Sequence, residues 1–262
     1  MIRHLTATTF LRPAATGRTG PLFCGCVDAN IGVTEEFVVK LLDTGSGKQG
    51  ALLELLGSRL ATYFGILVAE PVAVLIDADF AALLSTDDRF ANRAQLIQSN
   101  VGLNFGSRYL SPVSQWQAGR KIPDAMFAMA ANIFAFDALI QNVDRRAINP
   151  NLFVTGNDIY VYDHETSFSF LQAILPSPQS WILETEFYLK DHIFYAGLKG
   201  KTIELHDFCE RLGALSDAVL QGFRDEVPQE WIHSSLDLIE GHLKSVRTHT
   251  EEFSVQVKRS LR

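Results

Sequence analysis

The sequence predicts an α+β protein, with strands gathered in the first 110 residues and helices in the rest. Short β-branched and aromatic runs separated by turn formers dominate up to Leu110. Helical spacing of apolar residues dominates afterwards, interrupted by one small hairpin, and Ser111-Pro112 supplies a bend between the two regimes. Strands and one helix first, then helices, is the order of an α+β fold, expected to divide into 1–110 and 111–262.

The N-terminal stretch from Met1 to Val27 has Arg3, Arg12 and Arg18, many threonines and no acidic residue. That is the bias of an organelle transit peptide, although the apolar segment of a secretory signal is missing; an arm leading into the first strand is the preferred reading. Phe23 to Asp28 and Glu36 to Leu42 are β-rich runs joined by Ala29-Asn30-Ile31-Gly32-Val33-Thr34-Glu35, which suits a hairpin. Asp43-Thr44-Gly45-Ser46-Gly47 breaks the chain. From Gln49 to Phe64 the residues Leu52, Leu53, Leu55, Leu56, Leu60 and Phe64 recur at helical spacing, and Gly65 is the stop. Val68 to Ile76, interrupted by Pro71, reads as an edge strand. Asp79 to Asn100 reads as a polar helix and Val101 to Leu110 as another strand. Asp124 to Gln141 is a strongly apolar helix, Val143 to Asn151 a polar loop, and Leu152 to Val154 with Ile159 to Tyr162 a second hairpin. Glu184 to Ala196, Ile203 to Arg224 and Gln229 to Lys258 are helix-patterned.

Composition narrows the function classes. With 262 residues, 23 Lys+Arg and 30 Asp+Glu, the net charge is −7, which argues against a general binder of nucleic acid or anionic membranes. The length allows one large domain or two lobes, burying about 75% of the unfolded surface. Even the apolar run from Ala125 to Ile140 contains Asn132 and Asp137, so no transmembrane helix is expected. Cys24, Cys26 and Cys209 lack the paired spacing of a zinc or dithiol site and read as small hydrophobes in a reducing, cytoplasmic compartment. The seven histidines are scattered and read as surface or satisfied core residues.

Two motifs are decoys. Gly45-Ser46-Gly47-Lys48 suggests a phosphate-binding loop, but that pattern needs Gly at 42 and Ser or Thr at 49, where Leu42 and Gln49 stand. Asp163-His164-Glu165 suggests a metal hydrolase, yet no paired-histidine spacing accompanies it. The informative stretch is Asn142-Val143-Asp144-Arg145-Arg146-Ala147-Ile148-Asn149-Pro150-Asn151, followed by the hairpin and Tyr162-Asp163. Phosphoryl transfer in the protein-kinase manner needs this set: an Asp beside the acceptor hydroxyl, then an Asn and a second Asp as hard oxygen ligands for Mg²⁺. The bland alternative is an Asx-rich turn followed by a hydrogen-bonded Asp. Upstream, Lys40 stands inside the apolar run Phe37 to Leu42, where it is costly to bury unpaired, and Glu54 is the one acid in Leu52-Leu53-Glu54-Leu55-Leu56. Glu54 is therefore its candidate partner, against the alternative of a snorkelling Lys and a solvent-facing Glu.

The string Phe136-Asp137-Ala138-Leu139-Ile140, then Asn142, Asp144-Arg145, Asn149-Pro150-Asn151-Leu152 and Tyr162-Asp163-His164-Glu165, resembles the HipA-like kinases, a mainly bacterial branch of the protein-kinase-like superfamily. Val38-Val39-Lys40, Phe105 to Leu110 and Val227-Pro228 with Glu230-Trp231 extend the likeness over most of the chain. The resemblance implies a bilobal fold with a sheet lobe and a helical lobe. It further implies ATP and Mg²⁺ as cofactors, Asp144 as catalytic base or acceptor-orienting residue, and Asn149 and Asp163 as metal ligands. Lys40, with Glu54, becomes the phosphate anchor, and Ser107, Arg108, Tyr109 and Leu110 become the hinge whose backbone meets adenine. The acceptor it implies is a Ser or Thr hydroxyl of a protein, and an antitoxin-like or regulatory partner is conceivable. A small-molecule or lipid kinase and a catalytically silent pseudokinase remain the alternatives. Two departures stand out: the Gly-rich loop of protein kinases is absent, and Arg146 occupies a position where His is frequent. The length matches compact members without the extra N-terminal subdomain of HipA toxins.

Overall fold

The computed structural model describes residues 2–14, 20–29, 31–42, 47–87, 94–174, 179–183 and 187–262. The expectations that rest on Asn30 and on 43–46, including Gly45 and Ser46 of the phosphate-loop decoy, lie outside the described residues. The chain groups into two compact units: Met1–Leu55, Ala69–Ser111 and Asp225–His233 form one, and Leu56–Val68, Pro112–Arg224 and Ser234–Arg262 the other. The architecture is mixed α+β, sheet-rich in the N-terminal part and helical in the C-terminal part.

The first unit is built on a closed five-stranded barrel. Its strands are β1 (Arg3–Pro13), β2 (Leu22–Val27), β3 (Thr34–Lys40), β5 (Pro71–Ile76) and β6 (Gly102–Arg108), in the order β1-β2-β3-β6-β5. The β1–β5 pair is parallel and closes the barrel; the other pairs are antiparallel. Alternate residues Leu5 and Ala7, Cys24 and Cys26, Phe37 and Val39, and Val72, Val74 and Ile76 point into one buried core. Two expectations are corrected here. The N-terminal arm is a strand of 11 residues, in which the threonines act as β-formers. The strand containing Pro71 is not an edge: it pairs on both sides, and Pro71 is tolerated because it opens the strand. Cys24 and Cys26 are free thiols, and burial pushes Cys26 up to about 12, so both are chemically inert. Cys209 is only partly buried.

Helix α1 (Gly47–Tyr63) follows β3 and ends where the sequence predicts. Gly65 takes φ +75°, Ile66 N–H donates to Ala61 at 2.8 Å and Gly65 N–H to Thr62 at 3.0 Å, a Schellman stop. The predicted helix 79–100 is described as two pieces, α2 (Ala78–Ser85), capped by the Asp77 carboxylate on Phe80 N–H at 2.7 Å, and α3 (Ala94–Ser99). Asp225–His233 joins this unit through Trp231, a fully buried ring whose Nε1–H donates to Leu103 O at 3.1 Å.

In the second unit, β4 (Leu67–Val68), β7 (Ser114–Gln115), β8 (Leu152–Thr155) and β9 (Asp158–Val161) form a small sheet in the order β4-β9-β8-β7. Helix α4 (Asp124–Leu139) is apolar on every side and its second half is buried, as expected of a central helix. It is followed in the chain by α5 (Tyr195–Leu198), α6 (His206–Gly213), α7 (Asp217–Asp225), α8 (Ser235–Arg247) and α9 (Thr250–Ser260), of which α9 packs on α4. The three long helical patterns of the sequence are thus broken. Phe187–Asp191 is a 3₁₀ turn before α5, residues 214–216 separate α6 from α7, and 229–258 divides into a 3₁₀ turn, α8 and α9. Apolar periodicity continues across breaks that contain no Pro, so it cannot locate them. Among the described residues no helix is long and apolar enough to cross a membrane.

Candidate active site

The polar loop after α4 is organised by one carboxylate buried inside that helix. Asp137 is completely buried, and its Oδ2 accepts from Arg145 Nε at 2.6 Å and from His192 Nε2 at 2.9 Å, while its Oδ1 accepts from Asn142 Nδ2 at 3.0 Å. Burial pushes its carboxyl upward, but the Arg145 charge and the hydrogen bonds of His192 and Arg145 prevail and hold it below the usual carboxylate range. Burial likewise holds His192 below the ordinary imidazole value, against the pull of Asp137. Phe194 N–H donates to His192 Nδ1 at 3.1 Å, so Nδ1 bears the lone pair and Nε2 the proton given to Asp137. The set is one anion, one cation and one neutral imidazole, with no net charge buried.

Arg145 carries that anchor into the loop. Its NH1 donates to Asn151 O at 2.7 Å and to Tyr162 O at 3.2 Å, and Ile193 N–H donates to Arg145 O at 3.0 Å. Tyr162 N–H also donates to Asn151 O at 3.2 Å. One guanidinium therefore fixes both ends of the segment from Arg145 to Asn151 and the end of β9, immediately before Asp163.

Between these fixed points the chain makes a tight turn. Arg146 N–H donates to Asn149 O at 3.1 Å and Asn149 N–H to Arg146 O at 3.0 Å, which places Ala147 and Ile148 at an exposed tip. The turn brings Asp144 and Asn149 together: Asn149 Nδ2 donates to Asp144 Oδ2 at 2.7 Å. Arg146 NH2 lies 3.0 Å from the other oxygen, Oδ1. With its amide nitrogen committed to Asp144, Asn149 presents its carbonyl oxygen elsewhere. Asp163 is half-buried in the left-handed region at φ 62°, directly after the hairpin. All four non-glycine residues of positive φ among the described residues, Gln141, Asn151, Asp163 and Phe168, fall in this one stretch of the chain. Clustered backbone strain of this kind marks sites held for function. Behind Asp163, His164 packs directly on α1 at Gly57, where an added Cβ would stand 2.5 Å from the His164 Cβ.

In the first unit Lys40, on the same strand face as Val38, is ion-paired with the buried Glu54. Ser107 and Arg108 end β6, and Tyr109 and Leu110 follow it. Two of these side chains are engaged: Arg108 pairs with Glu35 and Glu70, and Tyr109 packs edge-on against Phe23. The amides of Arg108 and Tyr109 donate to Glu70 O and Glu36 O, both at 2.9 Å.

A family model described as HipA-like kinase matches residues 7–257. The chain belongs to the HipA-like kinase family. Among solved structures, the proinflammatory kinase CtkA of Helicobacter pylori superposes with a TM-score of 0.53 at 12% identity, over 98% of this HipA-like chain and 100% of that one. The likeness extends to the fold, which is kinase-like. A second match is the Neurospora crassa complex of PAN2 with PAN3 (pseudokinase and C-terminal part), with a TM-score of 0.36 at 12% identity over 97% of this chain and 65% of that one. No curated protein matches.

Sequence reasoning assigned roles to Asp144, Asn149, Asp163, Lys40, Glu54 and the segment Ser107 to Leu110, and gave none to Asp137, Arg145 or His192. The signal was present for Asp137, an acid in the middle of an otherwise apolar helix. For His192, 55 residues away in sequence from Asp137, nothing in the chain marks the pairing.

Proposed function

We propose that this HipA-like protein is an ATP- and Mg²⁺-dependent phosphotransferase whose acceptor is a Ser or Thr hydroxyl of a protein. The observation that supports the reading most is the hydrogen-bonded Asp144–Asn149 pair, held by the buried Asp137–Arg145 anchor that also fixes the approach to Asp163. The unit containing Lys40 serves as the N-terminal lobe and the one containing Asp144 as the C-terminal lobe. Asp144 orients the acceptor hydroxyl and takes its proton; Lys40, held by Glu54, binds nucleotide phosphates; Arg146 supplies positive charge beside Asp144 for the transferred phosphoryl group. The donor set fits a hard cation, since the Asn149 carbonyl and the Asp163 carboxylate are both oxygen ligands. Those two residues would hold Mg²⁺, which neutralises charge on the triphosphate when bound.

The test is incubation with Mg²⁺-ATP, alone and with a cell lysate, followed by mass spectrometry. Phosphopeptides should form with the wild type and be absent with Asp144→Ala and Asp163→Asn. Mg²⁺-ATP should also raise the melting temperature of the wild type much more than that of Asp163→Asn. Absence of any nucleotide-dependent stabilisation would sink the reading. Stabilisation without transfer would favour a nucleotide-binding pseudokinase, for which the double engagement of the Asp144 carboxylate by Asn149 and Arg146 is the supporting observation.

A further inference from the structure

The segment Asp225–His233 stands between α7 and α8 in the chain, yet it groups with the barrel unit. Within it Val227, Pro228 and Trp231 are buried while Gln229 and Glu230 are exposed, so one face of a single 3₁₀ turn is committed to packing. Trp231 does more than fill space there. The ladder between β3 and β6 runs from Phe37 opposite Arg108 to Lys40 opposite Phe105 and ends two residues short of Leu103. Leu103 O accepts the Trp231 Nε1–H at 3.1 Å. An indole donor therefore holds β6 just beyond the point where β3 stops holding it. The same ring meets the buried Phe105, with centroids 6.3 Å apart and planes tilted by 54°. Residues directly opposite in an antiparallel pair project to the same face with Cβ atoms about 5 Å apart, so Phe105 stands beside Lys40. That face is turned away from the barrel core, which takes Phe37, Val39 and Leu41 instead. Lys40 is thus held at its ammonium by Glu54 of α1 and flanked nearer the backbone by Phe105, which Trp231 backs.

We propose that Trp231 is a positioning residue for Lys40 and, through it, for the nucleotide phosphates. Its indole fixes Phe105 and the Leu103 carbonyl, Phe105 is the cross-strand partner of Lys40, and the ammonium then meets Glu54 and the phosphates at one place. The step from Lys40 to nucleotide rests on the phosphotransferase reading; the step from Trp231 to Lys40 does not. Misplacing a substrate-orienting group by about 1 Å can cost on the order of a hundredfold in rate, so a ring that never touches substrate can still set how well it is held.

The experiment compares the full chain with three variants. Trp231→Leu removes ring and donor, Trp231→Phe keeps an aromatic ring without the donor, and Leu212→Ala is a core deletion in α6 of the second unit. Thermal melts fix an assay temperature at which each is folded, and Trp231→Phe carries the test if Trp231→Leu does not fold. Two quantities are read: KM for ATP against kcat in the transfer reaction, and the rate at which an amine-reactive ester acylates Lys40, followed by peptide mass spectrometry. Trp231→Phe should raise KM about fivefold and Trp231→Leu about tenfold or more, with kcat within about twofold of wild type, because anchoring that is equal in ground and transition states shows in KM. Lys40 should acylate several-fold faster in both, its ammonium being less firmly held by Glu54. Leu212→Ala should lower the melting temperature and leave KM and acylation unchanged, which separates positioning from loss of stability. The proposal is overturned if the Trp231 variants leave either Lys40 acylation or, in an active enzyme, KM at the wild-type value, or if Leu212→Ala shifts them as far. A wild type that neither binds ATP nor transfers from it overturns the phosphotransferase reading instead, and Lys40 acylation alone then decides whether Trp231 positions Lys40.

Discussion

Asp137 survives as an anion in the interior because three donors meet it there, and Arg145 is held there by the same arrangement. Such a pair is weak evidence of net stabilisation, but removing one partner strands the other charge in a dry site. Asp137→Asn, which preserves shape and leaves Arg145 unpaired, should therefore cost about 3–5 kcal/mol in urea unfolding. Asp144→Ala, at a half-exposed position, should cost no more than about 1 kcal/mol while abolishing transfer. If the two variants lose similar stability, the buried residue is not the anchor of the loop. The residues expected to do chemistry were legible because chemistry fixes residue type and spacing: D-x-x-x-x-N and a later Asp are written in the chain. Their support was legible only in half, since an acid within an apolar helix signals a hidden partner without naming it.

At the scale of elements, α1 carries Glu54 and, one turn later, Gly57, the contact for His164. Replacing a helix-interior Gly by Ala ordinarily gains about 1 kcal/mol. At Gly57 the added methyl would stand 2.5 Å from the His164 Cβ, too near the backbone to be relieved by a side-chain rotation, so overpacking of about 1–3 kcal/mol prevails. Gly57→Ala should lower the melting temperature and reduce the further rise given by Mg²⁺-ATP, because the Asp163 segment is displaced. Gly222→Ala, in the exposed face of α7 with nothing within 4 Å, should instead raise it slightly. Equal and positive shifts for both would show that the contact with His164 yields without cost. Helix α1 was readable to its Schellman stop, whereas the divisions between α6 and α7 and between α8 and α9 were not. Local periodicity records which face is buried and is silent about where tertiary packing turns the chain.

Across the whole molecule, buried imidazoles make stability depend on pH. Burial brings His242 down to about 4, with Nε2–H donating to Leu139 O at 2.7 Å and the ring stacked on Phe170. An unfolded histidine titrates near 6.5, so between these values the unfolded chain binds the extra proton. Stability is then complete above about pH 6.5 and is lost as pH falls toward 4, by an amount on the order of 3 kcal/mol. His192 is shifted in the same direction and adds to the loss. Urea midpoints between about pH 7 and about pH 4.5 should fall steeply for the wild type and less steeply for His242→Gln, which keeps a donor but cannot titrate; parallel curves would refute the assignment. By itself the sequence determined the α+β order, the helix carrying Glu54, the Asp144–Asn149 spacing and the likeness to HipA-like kinases, because strand and helix periods and catalytic spacing are local properties of the chain. Tertiary structure alone decided that the first residues close a barrel as a parallel partner of β5. It also decided that Asp137, Arg145 and His192 form one neutral buried cluster. Those facts depend on which distant segments share a desolvated space, and desolvation is a property of the packed chain.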